Sequence, residues 1–294
     1  MTFEDELKFR TAEADEIVKF YLPEEEGFQK TLAESMRYAS SSGKRIRATL
    51  MRETYKLFDG RSRVIEPFMA AIEYIHAASL VHDDLPAMDN DEYRRGQKST
   101  WAVYGEGMGT LAGDGLLLYA FETASKGFGY NIDARNVGRA IEVLARKSGI
   151  SGMTGGQSVD VELTGKSVNG DTLRFIYELK TGALLEAAMM CGAILADASR
   201  EDVAHCERIA RLTGLAFQIQ DDILDVTADS ETLGKPAHSD EKNGKTTFVS
   251  LYGLDRARTA VQVFSDEAVT LLHRLSGENL FLENLLISLI KREK

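Results

Sequence analysis

Apolar residues recur at intervals of three and four along most of the chain, the spacing that places them on one face of an α-helix. The clearest case runs from Pro67 to Asp84, with apolar or small residues at Phe68, Ala71, Ile72, Ile75, Ala78 and Ser79. Pro67 suits the first position of a helix and Pro86 cannot continue one, so both ends are marked. We predict an apolar helix that ends in a group of carboxylates.

Four further stretches have the same helical period. They cover residues 110–126, 134–148, 172–195 and 201–226, and the C-terminal third predicts two or more helices. Alternating patterns typical of strands are scarce, and no repeat of fixed period is present. The sequence therefore predicts an all-α protein with a single domain, residues 1–294, of roughly ten or more helices.

Two glycine clusters, Tyr104–Gly115 and Gly149–Gln157, lie between or beside these stretches. No strand precedes the first cluster, as a dinucleotide-binding loop would require. We interpret both as turns and close contacts between helices.

Composition limits the class of partner. The chain has 35 Lys and Arg against 46 Asp and Glu, a net charge of −11, which argues against nucleic acid as a partner. A local basic cluster could still bind phosphate groups. No run of 18 apolar residues occurs, and the acidic start lacks the pattern of a signal peptide, so we expect a cytoplasmic protein without a membrane span. Cys191 and Cys206 form no CxxC motif and are expected to be reduced core residues.

The first acidic cluster ends the predicted helix, in the stretch LVHDDLPAMDNDEYRRG (residues 80–96). A regular helix would not align Asp83 with Asp89, but Leu85-Pro86 breaks the helix and lets the chain return. Taken alone, such a cluster is as consistent with a solvated acidic helix end as with a binding site.

The second cluster, FQIQDDILD (residues 217–225), lies on another largely apolar helix. Asp221 and Asp225 are four residues apart and therefore share one face. Two carboxylates about 4 Å apart repel by about 4 kcal/mol near a protein surface, and a divalent cation relieves that repulsion. Oxygen-rich sites suit Mg²⁺, which also binds substrate phosphates. Two such clusters favour a binuclear or trinuclear Mg²⁺ site facing a diphosphate.

These motifs resemble those of the trans-isoprenyl diphosphate synthases of the farnesyl and geranylgeranyl type. DDLPAMD and DDILD match the two aspartate-rich motifs of that family, and further matches follow in the family's order: SGKRIR (42–47), IHAASLVHDD (75–84), RRG (94–96), KTGAL (180–184) and LGK (233–235). The resemblance covers nearly the whole chain. It implies the all-α isoprenoid synthase fold, a bundle around a deep central cavity, usually as a homodimer. Ser42 and Ala48 replace a common glycine and a common proline, and neither change removes a charge.

The resemblance also implies roles for individual residues. Asp83, Asp89 and Asp221 would bind Mg²⁺, with three ions present when substrate is bound, and Asp84, Asp222 and Asp225 would support them. The allylic diphosphate would be held by Arg94, Lys180, Lys235 and Lys245, and isopentenyl diphosphate by Gly43, Lys44, Arg47, His76 and Arg95. Thr181 and Gln218 would face the cation.

The implied reaction begins with loss of pyrophosphate from the allylic substrate, which leaves a carbocation. Metal ions and cationic side chains would stabilise the departing charge. The double bond of isopentenyl diphosphate then attacks, and the released pyrophosphate takes the proton, so that no protein base is needed. Water must be excluded because it would quench the cation.

Product length should depend on the wall of the predicted Pro67–Asp84 helix. In the family, a bulky residue five positions before the first aspartate stops the growing tail, and here that residue is Ala78, beside Ser79. Tyr74, one turn deeper, is our hypothesis for the floor. Residues from another helix or a partner subunit are the alternative. The small side chains lean slightly towards geranylgeranyl over farnesyl diphosphate.

Three other functions remain open at this point. An HD-type phosphohydrolase would use His82-Asp83 as its metal pair, but lacks suitably placed further histidines. A non-catalytic subunit would be expected to lose one aspartate motif. A terpene cyclase shares the fold and the first step but has no need of an isopentenyl diphosphate pocket.

Overall fold

The structure is a computed structural model that describes residues 1–227 and 245–291. These residues form fourteen α-helices: α1 (Phe3–Tyr21), α2 (Lys30–Ala39), α3 (Ile46–Leu57), α4 (Ile65–Asp83), α5 (Thr100–Tyr104), α6 (Glu106–Ser125), α7 (Ala134–Ser148), α8 (Met153–Glu162), α9 (Gly170–Ile176), α10 (Ala183–Leu195), α11 (Arg200–Thr227), α12 (Phe248–Tyr252), α13 (Leu254–Leu272) and α14 (Leu280–Ile290). A 3₁₀ turn (Lys126–Gly129) follows α6, and a π-helical segment (Tyr177–Gly182) joins α9 to α10. The prediction of an all-α fold is confirmed.

Two helices form the centre of the bundle. Every residue of α10 is buried, as are 13 of the 19 residues of α4. A helix that is apolar all round is a core helix, since it has no face suited to water. Helix α4 packs against α1, α3, α6 and α10, and α10 packs against α3, α7 and α11. The core therefore supports the C-terminal end of α4, where the first acidic cluster begins.

The predicted helix boundaries are close to the observed ones. Helix α7 has the predicted bounds, and α4 ends at Asp83, but α4 begins at Ile65 rather than at Pro67. Pro67 is thus the third helical residue. The first four N–H groups of a helix have no partner within it, so proline is tolerated there as well.

The interpretation of the first glycine cluster as a turn is right for Gly105, which has φ 87° and separates α5 from α6, but wrong for Gly107–Gly115, which lies inside α6. The expected close contacts are present. A Cβ on Gly109 would lie 2.9 Å from the Cβ of Trp101, and one on Gly113 would overlap the ring of His82. The helix forms despite its glycines because tertiary packing outweighs intrinsic propensity.

The structure contains a small β-hairpin that was not predicted from the sequence. Strands β1 (Tyr93–Arg94) and β2 (Gln97–Lys98) pair antiparallel, with Tyr93 opposite Lys98. The turn residues Arg95 and Gly96 have φ of 53° and 78°, and positive φ at both positions is characteristic of a type I′ turn. Each strand is only two residues long, too short for an alternating pattern. The hairpin directs the side chains of Arg94 and Arg95 to different neighbours.

No helix within residues 1–227 and 245–291 is long and apolar enough to cross a membrane. Cys191 and Cys206 are free and buried, as expected, and burial raises the pKa of both thiols.

Candidate active site

The first aspartate motif folds back on itself as the sequence predicts. Asp83 is the last residue of α4, and the N–H of Asp89 donates to the carbonyl oxygen of Asp83 at 2.9 Å. A second return contact joins the N–H of Asp91 to the carbonyl of Asp84 at 3.2 Å. Burial raises the pKa of Asp83; Lys180 opposes this effect, and Asp89 adds to it. The turn at Pro86 therefore brings two carboxylates of the motif within electrostatic reach of each other.

Asp84 points towards Arg94 of the hairpin. Its side chain is buried and accepts a hydrogen bond from Arg94 Nε at 2.5 Å, while Asp91 lies 3.6 Å from the same guanidinium. Burial raises the pKa of Asp84 to about 6, although Arg94 lowers it. Arg94 is thus attached to the first motif by an ion pair.

Helix α8 contributes two residues that the sequence analysis did not select. Gln157 donates from Nε2 to Asp83 Oδ1 at 2.7 Å, and Asp160 accepts from Lys180 Nζ at 2.5 Å. The two residues are three apart and so share one helical face. The spacing of Gln157 and Asp160, at the end of the second glycine cluster, was the only available signal in the sequence. It does not indicate that these residues contact Asp83 and Lys180.

The second motif lies near the end of α11. Asp222 and Asp225 are buried, and Asp222 Oδ2 accepts from both Tyr177 Oη and the N–H of Phe248, each at 2.7 Å. Gln218, one turn before Asp222, accepts from the Thr181 hydroxyl at 2.7 Å. The motif is therefore fixed to the π-helical segment and to the start of α12.

Two cavities adjoin these carboxylates. The first, of about 170 Å³, is lined by Asp160, Lys180, Thr181, Gln218, Asp222 and Lys245. The second, of about 280 Å³, has a lining that includes Ala78, Ser79, Asp83, Leu117 and Met153; we call it the tail cavity after the role that the sequence predicts for Ala78. Lys180 and Thr181 line both.

A third cavity, of about 680 Å³, holds the predicted basic residues, and we call it the basic pocket. Gly43, Lys44, Arg47, His76 and Arg95 all line it. Gly43 has φ 151°, and a Cβ there would lie 2.9 Å from Arg95 Nη1, which donates to the Ser42 carbonyl at 2.8 Å. Glycine is therefore needed where the loop approaches Arg95.

His76 and Arg47 meet in the wall between the basic pocket and the tail cavity, since both line each of them. Burial, followed by the charge of Arg47, lowers the pKa of His76 well below its usual value. Arg47 Nε is buried without a hydrogen-bond partner. His76 is therefore neutral near pH 7, and the positive charge of the pocket comes from its arginines, Lys44 and Lys291.

Thr181 lines all three cavities. The first cavity, which Asp222 lines, the tail cavity, which Asp83 lines, and the basic pocket therefore converge on one residue.

Two predicted site residues stand apart from this arrangement. Tyr74 is fully buried, its hydroxyl donates to the Val18 carbonyl at 2.7 Å, and its ring lies 5.9 Å from that of Tyr119. It is absent from the lining of the tail cavity, which includes Ile75, Leu117 and Met153 together with Ala78. Lys235 lies outside the described residues.

Within the part of the chain that the structure describes, no three acidic, histidine or cysteine side chains are close enough to hold a metal by themselves. The donors present are carboxylates, which suit Mg²⁺. Because Mg²⁺ keeps several waters and binds through one or two carboxylates plus substrate phosphates, this arrangement fits an ion held jointly with a diphosphate.

Comparison with known proteins gives one consistent result. Residues 29–271 match the family model for polyprenyl synthetase. A geranylgeranyl diphosphate synthase from Cyanophora paradoxa is 42% identical over 262 residues, covering 87% of this chain and 84% of that protein. The farnesyl diphosphate synthase of Escherichia coli (strain K12) is 41% identical over 273 residues, 91% of each chain. A geranyltransferase from Helicobacter pylori, solved with magnesium and isoprenyl diphosphate, superposes with a TM-score of 0.81 at 29% identity, covering 99% of this chain and 97% of that one.

Proposed function

This chain belongs to the polyprenyl synthetase family and is a prenyltransferase, and on that premise we propose how it works. It condenses isopentenyl diphosphate with an allylic diphosphate, giving farnesyl or geranylgeranyl diphosphate. The single observation that carries the proposal is the convergence of three cavities on Thr181, because the reaction needs two diphosphate sites and one apolar channel at a single point.

The allylic diphosphate occupies the first cavity. Lys180 and Lys245 line it, and Arg94 stands beside the first motif. Lysine supplies a compact charge and arginine a bidentate fork to phosphate oxygens. Lys235 is assigned to this set from the sequence resemblance alone. These cations offset the negative charge that develops as the diphosphate leaves.

Asp83, Asp89 and Asp221 hold Mg²⁺ together with the diphosphate, and Asp84, Asp222 and Asp225 support them. The ions, which we take to be three with substrate bound, supply Lewis-acid stabilisation of the leaving group. The magnesium in the Helicobacter pylori structure supports the choice of metal. Gln157 orients Asp83, and Tyr177 orients Asp222, through the hydrogen bonds described above.

Isopentenyl diphosphate occupies the basic pocket, held by Gly43, Lys44, Arg47, His76 and Arg95. Because the basic pocket and the tail cavity share a wall, the double bond of isopentenyl diphosphate in this pocket lies towards the allylic carbon. Thr181 and Gln218 face the cation with their oxygens. The Thr181 hydroxyl donates a hydrogen bond to Gln218 Oε1, so its proton points away from the cation and a lone pair of the Thr181 oxygen can point at the positive charge.

The tail cavity accepts the growing chain. Ala78 and Ser79 are small and leave it open, which supports the lean towards geranylgeranyl diphosphate. The assignment of Tyr74 as the floor stays a prediction. Leu117 and Met153 line the cavity directly.

The chain functions as a single domain that forms a homodimer. Leu111 and Leu118 of α6 are exposed and lie seven residues apart, which places them on one face of that helix, and we propose that the partner subunit covers this face. Light scattering of the purified protein measures its mass. A cytoplasmic location stays a prediction.

A terpene cyclase is the remaining alternative, because it would share the fold and the ionisation step. The basic pocket favours a synthase. Incubation with geranyl or farnesyl diphosphate and isotope-labelled isopentenyl diphosphate, followed by chromatography, separates the two. We expect labelled linear diphosphates one isoprene unit longer than the primer; cyclic hydrocarbons formed without the label would contradict the proposal.

A further inference from the structure

Glu73 is a buried acid at the edge of the basic pocket that the sequence analysis did not select. It lies on α4, is 4% exposed, and lines the pocket together with Arg45, Arg47 and Arg95. A buried carboxylate beside a cluster of cations requires a reason, because an unpaired charge in the interior is costly.

One role of Glu73 is to complete the start of α3. The residue before that helix, Arg45, has φ 50° and makes no side-chain cap. The N–H of Ala48, in the first turn, instead donates to Glu73 Oε1 at 3.0 Å. Free N–H groups at a helix start attract anionic acceptors. Glu73 therefore caps a neighbouring helix and ties the helix that carries Arg47 to α4.

The other role is electrostatic. Glu73 Oε2 lies 3.7 Å from Arg45 Nη1. The Nε of the same arginine donates a hydrogen bond to Asp15 Oδ1 at 2.8 Å. Arg47 and Arg95 are close enough for Arg95 to lower the pKa of Arg47, and in both residues Glu73 opposes the lowering caused by burial. One carboxylate thus balances the charge of several guanidinium groups.

We propose that Glu73 is the positioning residue of the isopentenyl diphosphate pocket: it ties the start of α3, the helix that carries Arg47, to α4 and holds Arg45 beside the other arginines of the pocket. This inference rests on the proposed function. Glu73 would repel a diphosphate, so it acts through the arginines rather than by touching the substrate.

The charge of Glu73 has two opposite effects, and their signs give the test. Its removal strengthens the Coulombic attraction of the pocket for a diphosphate, but it also takes away the charge that pairs with Arg45 and offsets the charges of Arg47 and Arg95. We expect the second effect to dominate in Glu73→Gln, which keeps the volume of the side chain. The KM for isopentenyl diphosphate should rise by about tenfold or more, as expected when one partner of a buried charge pair is removed, while kcat and the KM for the allylic substrate stay within about twofold.

Calorimetric titration with isopentenyl diphosphate, without Mg²⁺ or allylic substrate, provides a direct readout and should show the same loss of affinity. Glu66→Gln is the matched control, because Glu66 lies on the same helix and pairs with exposed Arg63 at 2.8 Å, outside the residues that line the pocket. It should leave both KM values unchanged.

An unchanged or lowered KM for isopentenyl diphosphate in folded Glu73→Gln would overturn the inference. Should that variant fail to fold, Glu73→Asp keeps the charge at a shorter reach. It is expected to raise the KM for isopentenyl diphosphate selectively, and equal changes for both substrates would refute the positioning role. If the wild-type protein incorporates no isopentenyl diphosphate, the proposed function itself fails; an active wild type with an unaffected Gln variant removes only this inference.

Discussion

At the scale of single residues, the acids and cations of the site are oriented by neighbours outside their own motifs. Gln157 binds Asp83, Asp160 binds Lys180, and Tyr177 binds Asp222. Fixed side chains matter for catalysis because a preorganised site does not have to rearrange as charge develops.

Tyr177→Phe tests this orientation. It removes the phenolic hydrogen bond to Asp222 but keeps the ring and the contact from the N–H of Phe248. A lost buried hydrogen bond costs about 1 kcal/mol, so the Mg²⁺ concentration needed for half-maximal rate should rise about fivefold. Tyr55→Phe, which alters the tyrosine bonded to the N–H of Ser62 outside the cavity linings, is the control. An unaltered Mg²⁺ requirement would show that Asp222 needs no such support.

Ala78→Tyr tests the tail cavity. The new ring would enter the tail cavity of about 280 Å³ at the Ala78 position and narrow it, so the product should be shorter by at least one isoprene unit. Chromatography of the dephosphorylated products measures the length. A product of unchanged length would mean that the tail follows another route.

At the scale of elements, the π-helical segment Tyr177–Gly182 positions Lys180 and Thr181 where the cavities meet. Two glycines let neighbouring helices reach its backbone. A Cβ on Gly156 of α8 would lie 2.8 Å from Leu179 Cβ, and one on Gly214 of α11 would lie 2.9 Å from Gly182 Cα. The segment is therefore held on two sides by close backbone packing.

Gly156→Ala should displace this segment. The added methyl group would meet backbone atoms of Leu179 and Lys180, which cannot move independently of Thr181. We expect kcat to fall by about tenfold or more, since small misplacements of reacting groups are costly. Gly138→Ala in α7 is the control: its Cβ would enter open space, and it should raise stability by about 0.5–1 kcal/mol. Equal activities in both variants would contradict the role of the segment.

The sequence predicted those elements whose signal is local. Periodicity located α4, α7 and α11, and Pro86 indicated the return of Asp89 towards Asp83. It did not reveal the hairpin Tyr93–Lys98, because two-residue strands carry no alternating pattern, or the helical state of Gly107–Gly115, which depends on packing against Trp101 and His82. Gln157, Asp160 and Glu73 were missed because each acquires its role from a partner that is distant in the sequence: Asp83, Lys180 and Ala48, respectively.

At the scale of the whole molecule, a buried network of charges links three helices. Lys147 of α7 pairs with Glu186 of α10 and, at 2.6 Å, with Glu207 of α11, while Arg211 binds Glu186 at 2.9 Å. The network joins α7, α10 and α11 behind the π-helical segment.

Lys147→Met should destabilise the fold by about 3 kcal/mol, because it leaves two acids with one cation in a buried setting. Arg146→Met is the matched control, since its pair with Glu142 is exposed and should contribute less than about 1 kcal/mol. Urea unfolding followed by circular dichroism measures both. Equal losses in the two variants would show that the buried network contributes no more than a surface pair.

We propose that two diphosphate sites and one apolar cavity converge at Thr181, with the aspartate motifs binding Mg²⁺. The most direct test is the rate at which isotope-labelled isopentenyl diphosphate enters an allylic primer with Mg²⁺, with EDTA, and in Asp83→Asn. We predict rapid incorporation with Mg²⁺, none with EDTA, and a loss of at least about a hundredfold in the variant. Incorporation that persists without a divalent cation, or no incorporation with dimethylallyl, geranyl or farnesyl diphosphate, would contradict the account.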